Sequence, residues 1–333
     1  MVTLTEEFYM TDTWKPTNGS PIPEGPPRLF SMVTTLTSRA YTPCALRSFF
    51  ETTGLRSCDR FILINNDDPN VEELSKLYQG QITLVHNKAP QSFAANANSM
   101  IEEALRSKSD LYFMNNDIIY SDNWLTPLVG REGSILSPLS NREVQYIGSV
   151  TVTKTHHMAS FLVMSAPMKL EEYLGSPRMF QAIAEAHAKE TSGFMTLSVF
   201  PFFCVKLPLG IMQALGRFDE GFGRAGGEDY DYCLRAWLAG FKVEMVLGSY
   251  LLHFWGKSTW NATDQQKPDI QSYNTDFLEI FRAKWGDPLF QYVLQENDSA
   301  IVANPEAARL RETEQIGAMV RLLMPKPVDL FIP

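Results

Sequence analysis

Apolar runs alternate with amphipathic ones through the first half of the chain. Leu29 to Leu36 has the apolar and β-branched content of a strand covered on both faces. Thr42-Pro43 then predicts a helix start, with threonine as N-cap and proline in the first position. Leu46, Phe49 and Phe50 give that helix an apolar face, and Gly54 is its expected stop. The alternation repeats with strands from Phe61 to Ile64, Ile82 to Val85 and Leu111 to Met114. Between them fall helices over 72–78 and 93–106, the second burying Ala97, Met100, Ile101, Ala104 and Leu105. Ile135 to Pro138 reads as a further strand. This order predicts an α/β fold, a Rossmann-like, mostly parallel central sheet flanked by helices. Such sheets bind ligands at the carboxyl ends of their strands. That edge collects Thr34, Thr35 and Arg39, then Asn65 and Asn66, then Asn87, then Asn115-Asn116-Asp117. Each taken singly is explained as well by an ordinary polar loop.

The second half is organised around Leu215 to Ser258. Gly226-Gly227 suits a tight turn. Glu228, Asp229 and Asp231 fall in the first turn of the helix that follows. Its expected inward face is Tyr230, Cys233, Leu234, Trp237 and Leu238, with Gly240 as the C-terminal cap. Acids in a first turn are ordinary helix-start chemistry, favoured in charged form by the helix dipole. A charged carboxylate at the edge of a cleft can also act as a general base. Before this stretch, 134–200 carries little pattern beyond a helix from about Pro177 to Lys189 and the apolar run from Ser198 to Leu207. His156-His157 cannot share one face of a helix or strand, so they are read as surface residues. After it, Trp255 and Trp260 offer flat stacking surfaces for a ligand ring, or core aromatics. Residues 305–323 predict one amphipathic helix, with Ala308, Ile316, Met319, Val320 and Leu323 apolar; the Pro-broken tail PKPVDLFIP is expected to dock on the domain or on a neighbour.

Composition narrows the function classes. With 333 residues, 44% hydrophobic and 20% charged, the chain is an ordinary globular protein. A net charge of -9 without a basic stripe argues against nucleic acid as partner. No apolar run approaches the roughly 20 residues that cross a bilayer. The acidic start MVTLTEEFYM has no signal-peptide pattern. The four cysteines, Cys44, Cys58, Cys204 and Cys233, lack metal-ligand spacing. These features point to a reducing, cytoplasmic setting, with attachment to a membrane surface left open.

The 215–258 stretch resembles the acceptor-side motif of family 2 glycosyltransferases of the GT-A fold. The matching residues are Phe218-Asp219-Glu220, Gly227-Glu228-Asp229-Tyr230-Asp231, Leu234-Arg235, Ala239-Gly240-Phe241, His253 and Gly256-Lys257-Ser258. The nucleotide-binding half is similar too. Asn65-Asn66 stand where the family contacts the donor base. Asn87 with Phe93-Ala94-Ala95-Asn96-Ala97-Asn98 resembles its Asn-x-Gly-Phe-Ala stretch, and Asn115-Asn116-Asp117 its short acidic metal motif. Tyr273 to Gly286 resembles the helix ending in Lys-Trp-Gly that often follows. Asn replaces the usual Asp at 65 and 115, which leaves Asp117 as the charged ligand of that motif.

The resemblance implies an inverting transferase that moves a sugar from a nucleotide-diphosphate donor to an acceptor hydroxyl. Donor binding would fall to Thr35, Arg39, Asn65, Asn66, Asn87, Asn98, Asn115, Asn116 and Asp117. A divalent metal, Mn or Mg, would sit on Asp117 and His253, the imidazole leaning toward Mn. Asp229 or Glu228 would be the base; the resemblance places it on the second acid, Asp229, and leaves Glu228 to hold an acceptor hydroxyl. Gly227, Glu228, Asp231 and Trp255 would form the acceptor side. The acceptor itself, whether glycan, lipid-linked saccharide, protein or modified nucleobase, stays open. The expected organisation is an extension over 1–27, a donor half over 28–133, an acceptor half over 134–260 and a helical region over 261–333. Two rivals are weighed. A sugar-nucleotide pyrophosphorylase needs a Gly-rich loop after the first strand, where this chain reads TTLTSRAYTP. A non-catalytic GT-A module is favoured only by the Asn residues at 65 and 115.

Overall fold

The computed structural model describes residues 23–141, 144–146, 150–152, 169–257 and 267–333. His156, His157, Ser258, Trp260 and most of the N-terminal extension lie outside the described residues.

The strands are β1 (Arg28–Thr34), β2 (Arg60–Asn65), β3 (Ile82–His86), β4 (Asp110–Asn115), β5 (Ile118–Tyr120), β6 (Ser134–Ser140), β7 (Val144–Tyr146), β8 (Val150–Val152), β9 (Phe194–Thr196), β10 (Cys204–Leu207) and β11 (Lys242–His253). Among the described residues nine of them form one sheet in the order β3-β2-β1-β4-β10-β6-β11-β5, with β9 beside β11, and β7 pairs with β8 apart from it. The β3-β2-β1-β4 half is parallel, as the alternating pattern requires. β10 then enters antiparallel to β4 and β6, and β11 returns parallel to β6.

The helices are α1 (Thr42–Thr52), α2 (Val71–Lys76), α3 (Phe93–Ser107), α4 (Leu170–Gly175), α5 (Pro177–Glu190), α6 (Leu209–Leu215), α7 (Glu228–Leu238), α8 (Lys267–Trp285), α9 (Asp287–Leu294), α10 (Ser299–Val302), α11 (Pro305–Glu312) and α12 (Ile316–Leu323). None among the described residues is long and apolar enough to cross a membrane. Cores lie on both faces of the sheet. One gathers α3, α7, α9 and α12 with Phe113, Val205 and Met245. The other is aromatic, with Phe49 at 5.1 Å from Phe30 and 4.8 Å from Phe61, and fully buried Trp124 donating to Thr53 Oγ1 at 2.8 Å.

Three local expectations are corrected. Thr42 does not cap α1: the N-cap is Tyr41, and the Thr42 hydroxyl bonds Thr34 Oγ1 and Asn116 Nδ2 at 2.9 and 2.7 Å instead. The single helix over 305–323 is two, because Glu314 takes φ 53 and breaks the run; Ala307 and Leu310, rather than Ala308, are buried in the first. In α7 Tyr232 is buried beside the expected Trp237, and Tyr230 is only partly buried at the edge of the core. Three further readings match. Gly240 follows α7 with φ +89, Cys233 is buried on the inward face of α7, and the tail docks on the domain through Ile332.

Candidate active site

The carboxyl ends of β4 and β11 and the start of α7 converge on one pocket of about 370 Å³. Asn115, Ser140 and His253 line one end, and Gly226 to Tyr230 line the other. The floor is Pro201-Phe202-Phe203, the segment leading into β10.

At the β4 end, Asp117 is buried, and its backbone carbonyl accepts from Phe254 N–H at 2.9 Å. That bond and the antiparallel pairing of Ile118 with His253 fix Asp117 beside the last residue of β11. Asp117 Oδ2 accepts from Lys257 N–H at 3.2 Å. Asp117 Oδ1 and His253 Nε2 stand 3.4 Å apart, both buried, and neither makes a hydrogen bond. Burial raises the Asp117 pKa, but the His253 charge and the Lys257 N–H outweigh it, so the carboxyl sits below its ordinary value. The His253 ring is held by stacking on Phe203, with centroids 4.9 Å apart at 14°. A buried carboxylate oxygen and an imidazole nitrogen that face each other, with no hydrogen bond from any third group, fit a divalent cation. Among the described residues no group of three or more His, Cys, Asp and Glu suits a metal. Asp117 and His253 would be the two strong ligands that the described residues offer, and the remaining positions would fall to other oxygens such as water and phosphate.

At the α7 end, Gly226 and Gly227 take φ +113 and +82, where a side chain is strained. A Cβ on Gly226 would also meet the Phe277 ring at 2.8 Å. The turn aims Glu228 and Asp229 into the pocket. Asp229 Oδ1 accepts from Tyr230 N–H at 2.8 Å and Oδ2 from Phe202 N–H at 3.2 Å. Burial still outweighs these bonds and pushes Asp229 up to about 6. Burial, then the neighbouring Asp229 charge, pushes Glu228 up to about 8, and its Oε2 is buried without a partner. The helix dipole favours charged acids here, but withdrawal from water is the larger effect.

The other expected residues divide. Trp255 and Gly227 line the pocket. Asn65, Asn66 and Asn87 form a polar ridge along the strand ends, outside its lining. Asn66 Oδ1 accepts from Asn87 Nδ2 at 2.8 Å, and Asn65 Oδ1 accepts from Asp68 N–H at 2.7 Å. Thr35 bonds Ser38 Oγ at 2.7 Å in the loop after β1, and Arg39 is exposed on that loop. Three expectations fail on position. Asn98 is buried and clamps Phe218, donating to its carbonyl at 3.1 Å and accepting from its N–H at 2.7 Å. Asn116 is buried and donates to Ser38 Oγ and Thr42 Oγ1, both at 2.7 Å, so it ties the β1 loop to β4 rather than facing a donor. Asp231 points away from the pocket, into Arg235 Nε, Lys284 Nζ and Trp285 Nε1 at 2.8, 2.7 and 2.9 Å. Its offset from Asp229 puts it on the core side of α7.

Sequence reasoning missed the floor and walls: Pro201 to Phe203, Tyr230, Phe277 and Leu294. One signal was available. Pro201 interrupts the apolar run from Ser198 to Leu207, and proline is a poor strand interior. The strand indeed begins only at Cys204.

No protein-family model matches the sequence, and no curated protein matches it. Among solved structures it is similar to GalNAc-T7 with UDP, GalNAc and Mn2+, at 14% identity and TM-score 0.56 over 91% of this chain and 58% of that one. It is also similar to the mannosyltransferase PcManGT from Pyrobaculum calidifontis in complex with GDP-Man and Mn2+, at 12% identity and TM-score 0.44 over 95% and 91%. The chain thus spans 58% of the GalNAc-T7 chain, and that likeness shows the GT-A fold.

Proposed function

We propose that this protein is a glycosyltransferase that moves a sugar from a nucleoside-diphosphate donor to an acceptor hydroxyl, inverting the anomeric centre. The observation that carries the reading is that Asp229 and His253 line one pocket, with buried Asp117 Oδ1 standing 3.4 Å behind His253 Nε2. GalNAc-T7, which has this fold, is described with UDP, GalNAc and Mn2+ bound. In this reading residues 28–133 form the donor half and 134–260 the acceptor half, and Asn65, Asn66 and Asn87 lie where a nucleoside would extend along the strand ends.

Asp117 and His253 would hold the cation. When bound it supplies Lewis-acid charge beside the departing diphosphate. The chain's own residues do the rest. Asp229 is fixed by the N–H groups of Phe202 and Tyr230, so its carboxylate needs no reorganisation to accept a proton. The acceptor hydroxyl gives its proton to Asp229 as its oxygen bonds the anomeric carbon. The bond from that carbon to the diphosphate breaks, and its electron pair leaves with the diphosphate. One displacement on one face inverts the configuration. Glu228, protonated at neutral pH by the shift described above, donates a hydrogen bond from its otherwise unpartnered end to the acceptor. Phe203 keeps the His253 ring in place.

The test is a panel of nucleotide sugars incubated with and without Mn2+ and scored for released nucleoside diphosphate. The anomeric configuration of the product is then read by NMR. A retained configuration removes the single-displacement assignment, and no release with any donor removes the transferase reading in favour of a binding module.

A further inference from the structure

We propose that the acceptor is an uncharged, ring-bearing alcohol, held by an aromatic wall in a pocket whose charges exclude anions; this rests on the transferase reading. Around Glu228 and Asp229 the lining is Phe93, Phe202, Tyr230, Trp255, Phe277 and Leu294. Among the described residues no lysine or arginine lines the pocket. Two cations behind α7 are committed elsewhere: Lys284 reaches Asp219 and Asp231 at 2.6 and 2.7 Å. Buried Arg235 holds Asp231 at 2.8 Å and donates to the carbonyls of Leu215, Arg217 and Leu330. A carboxylate or phosphate on the acceptor would therefore lie against the Asp229 carboxylate with no cation among the described lining residues, out of water, where like-charge repulsion is strongest. The buried, unpartnered Glu228 Oε2 asks instead for a neutral hydroxyl, which can donate or accept as its protonation requires. Aromatic faces suit the apolar face of a sugar or aryl ring. The anionic donor is not excluded by the same argument, because its diphosphate would lie at the Asp117–His253 end, beside a cation.

The test compares ligands that differ by one charge. Binding of methyl glucoside, methyl glucuronide and phenol to the full chain with Mn2+ is measured by saturation-transfer NMR titration. Donor hydrolysis is measured on the same preparation. The neutral glucoside or phenol is expected to bind at least about tenfold tighter than the glucuronide, and the two neutral arms separate sugar from aryl recognition. Leu294→Arg, which adds a cation to the wall, is expected to bring the glucuronide up to the glucoside, a gain that misfolding cannot produce. Equal or tighter binding of the glucuronide by the wild-type protein overturns the inference, as does saturable binding of none of the three. Failure of the transferase reading looks different: no donor is turned over while the neutral preference stands.

Discussion

Asp229 and Glu228 are neighbours in the chain, yet their carboxyls sit in different surroundings. Asp229 is held by two N–H donors, whereas Glu228 Oε2 has none. The pair therefore divides its protons, with apparent steps near 6 and 8 that belong to the two groups jointly. A base must be deprotonated to work, so kcat/KM is expected to fall tenfold per pH unit below about 6. Loss of the Glu228 proton should lower it again above about 8, a bell that a pH series from 5 to 9 would show. Asp229→Asn should cost about 10²–10⁴-fold in transfer while donor affinity, read by titration calorimetry, stays put. The identity of these acids was legible in Gly227-Glu228-Asp229, but their protonation was not. The helix dipole is a local effect, while the burial that overrides it comes from Phe202 and Phe277, distant in sequence. The same limit explains Asn98, Asn116 and Asp231. Each looks like a ligand residue in its motif, and each is spent on a partner that only the folded chain supplies.

At the scale of elements, the start of α7 is braced from behind. Asp231 ties it to the end of α8 through Lys284 and Trp285, and Arg235 ties it to the tail at Leu330. Ile332 bonds Leu215 and Arg217 across Gly216, whose added Cβ would meet the Ile332 carbonyl oxygen at 1.9 Å. Gly216→Ala should therefore expel the tail and destabilise the fold by about 1–3 kcal/mol, seen as an earlier urea midpoint. At the other side of the sheet, Asp59 anchors the start of β1 through Arg28 at 2.6 Å and Arg56 at 2.8 Å. Burial raises its pKa, but the hydrogen bonds from the two arginines prevail and lower it to about 2. A depressed carboxyl stabilises above its unfolded pKa of about 3.9 and loses that contribution as pH falls toward 2. Asp59→Ala leaves Arg28 buried without this partner and should cost about 3–5 kcal/mol at pH 7, with less acid sensitivity between pH 4 and 2. Strand and helix positions in the first half were legible because period and burial coincide there. The α11–α12 break was not, since Glu314 in a left-handed conformation carries no glycine signal.

For the whole molecule, the parallel half-sheet followed from alternating elements, whereas the insertion of β10 between β4 and β6 did not. That pairing joins residues nearly a hundred positions apart, which no local pattern encodes. Donor with Mn2+ at a hundredfold excess over Kd should stabilise the fold by about 2.7 kcal/mol, read as a rise in Tm that chelation reverses and Asp117→Ala lacks. The insertion also gives the pocket its floor. Phe202 N–H holds Asp229, the Phe203 ring lies on His253, and the Phe203 carbonyl accepts from Asn115 N–H at 2.8 Å. Two consecutive residues thus join Asp229 to His253 and to the end of β4. Such linkage is reciprocal: whatever factor the first substrate lends to the affinity of the second, the second returns to the first. If the transferase proposal holds, the two halves of the pocket are expected to fill in concert, and changing the Phe202-Phe203 pair to uncouple them before it empties either.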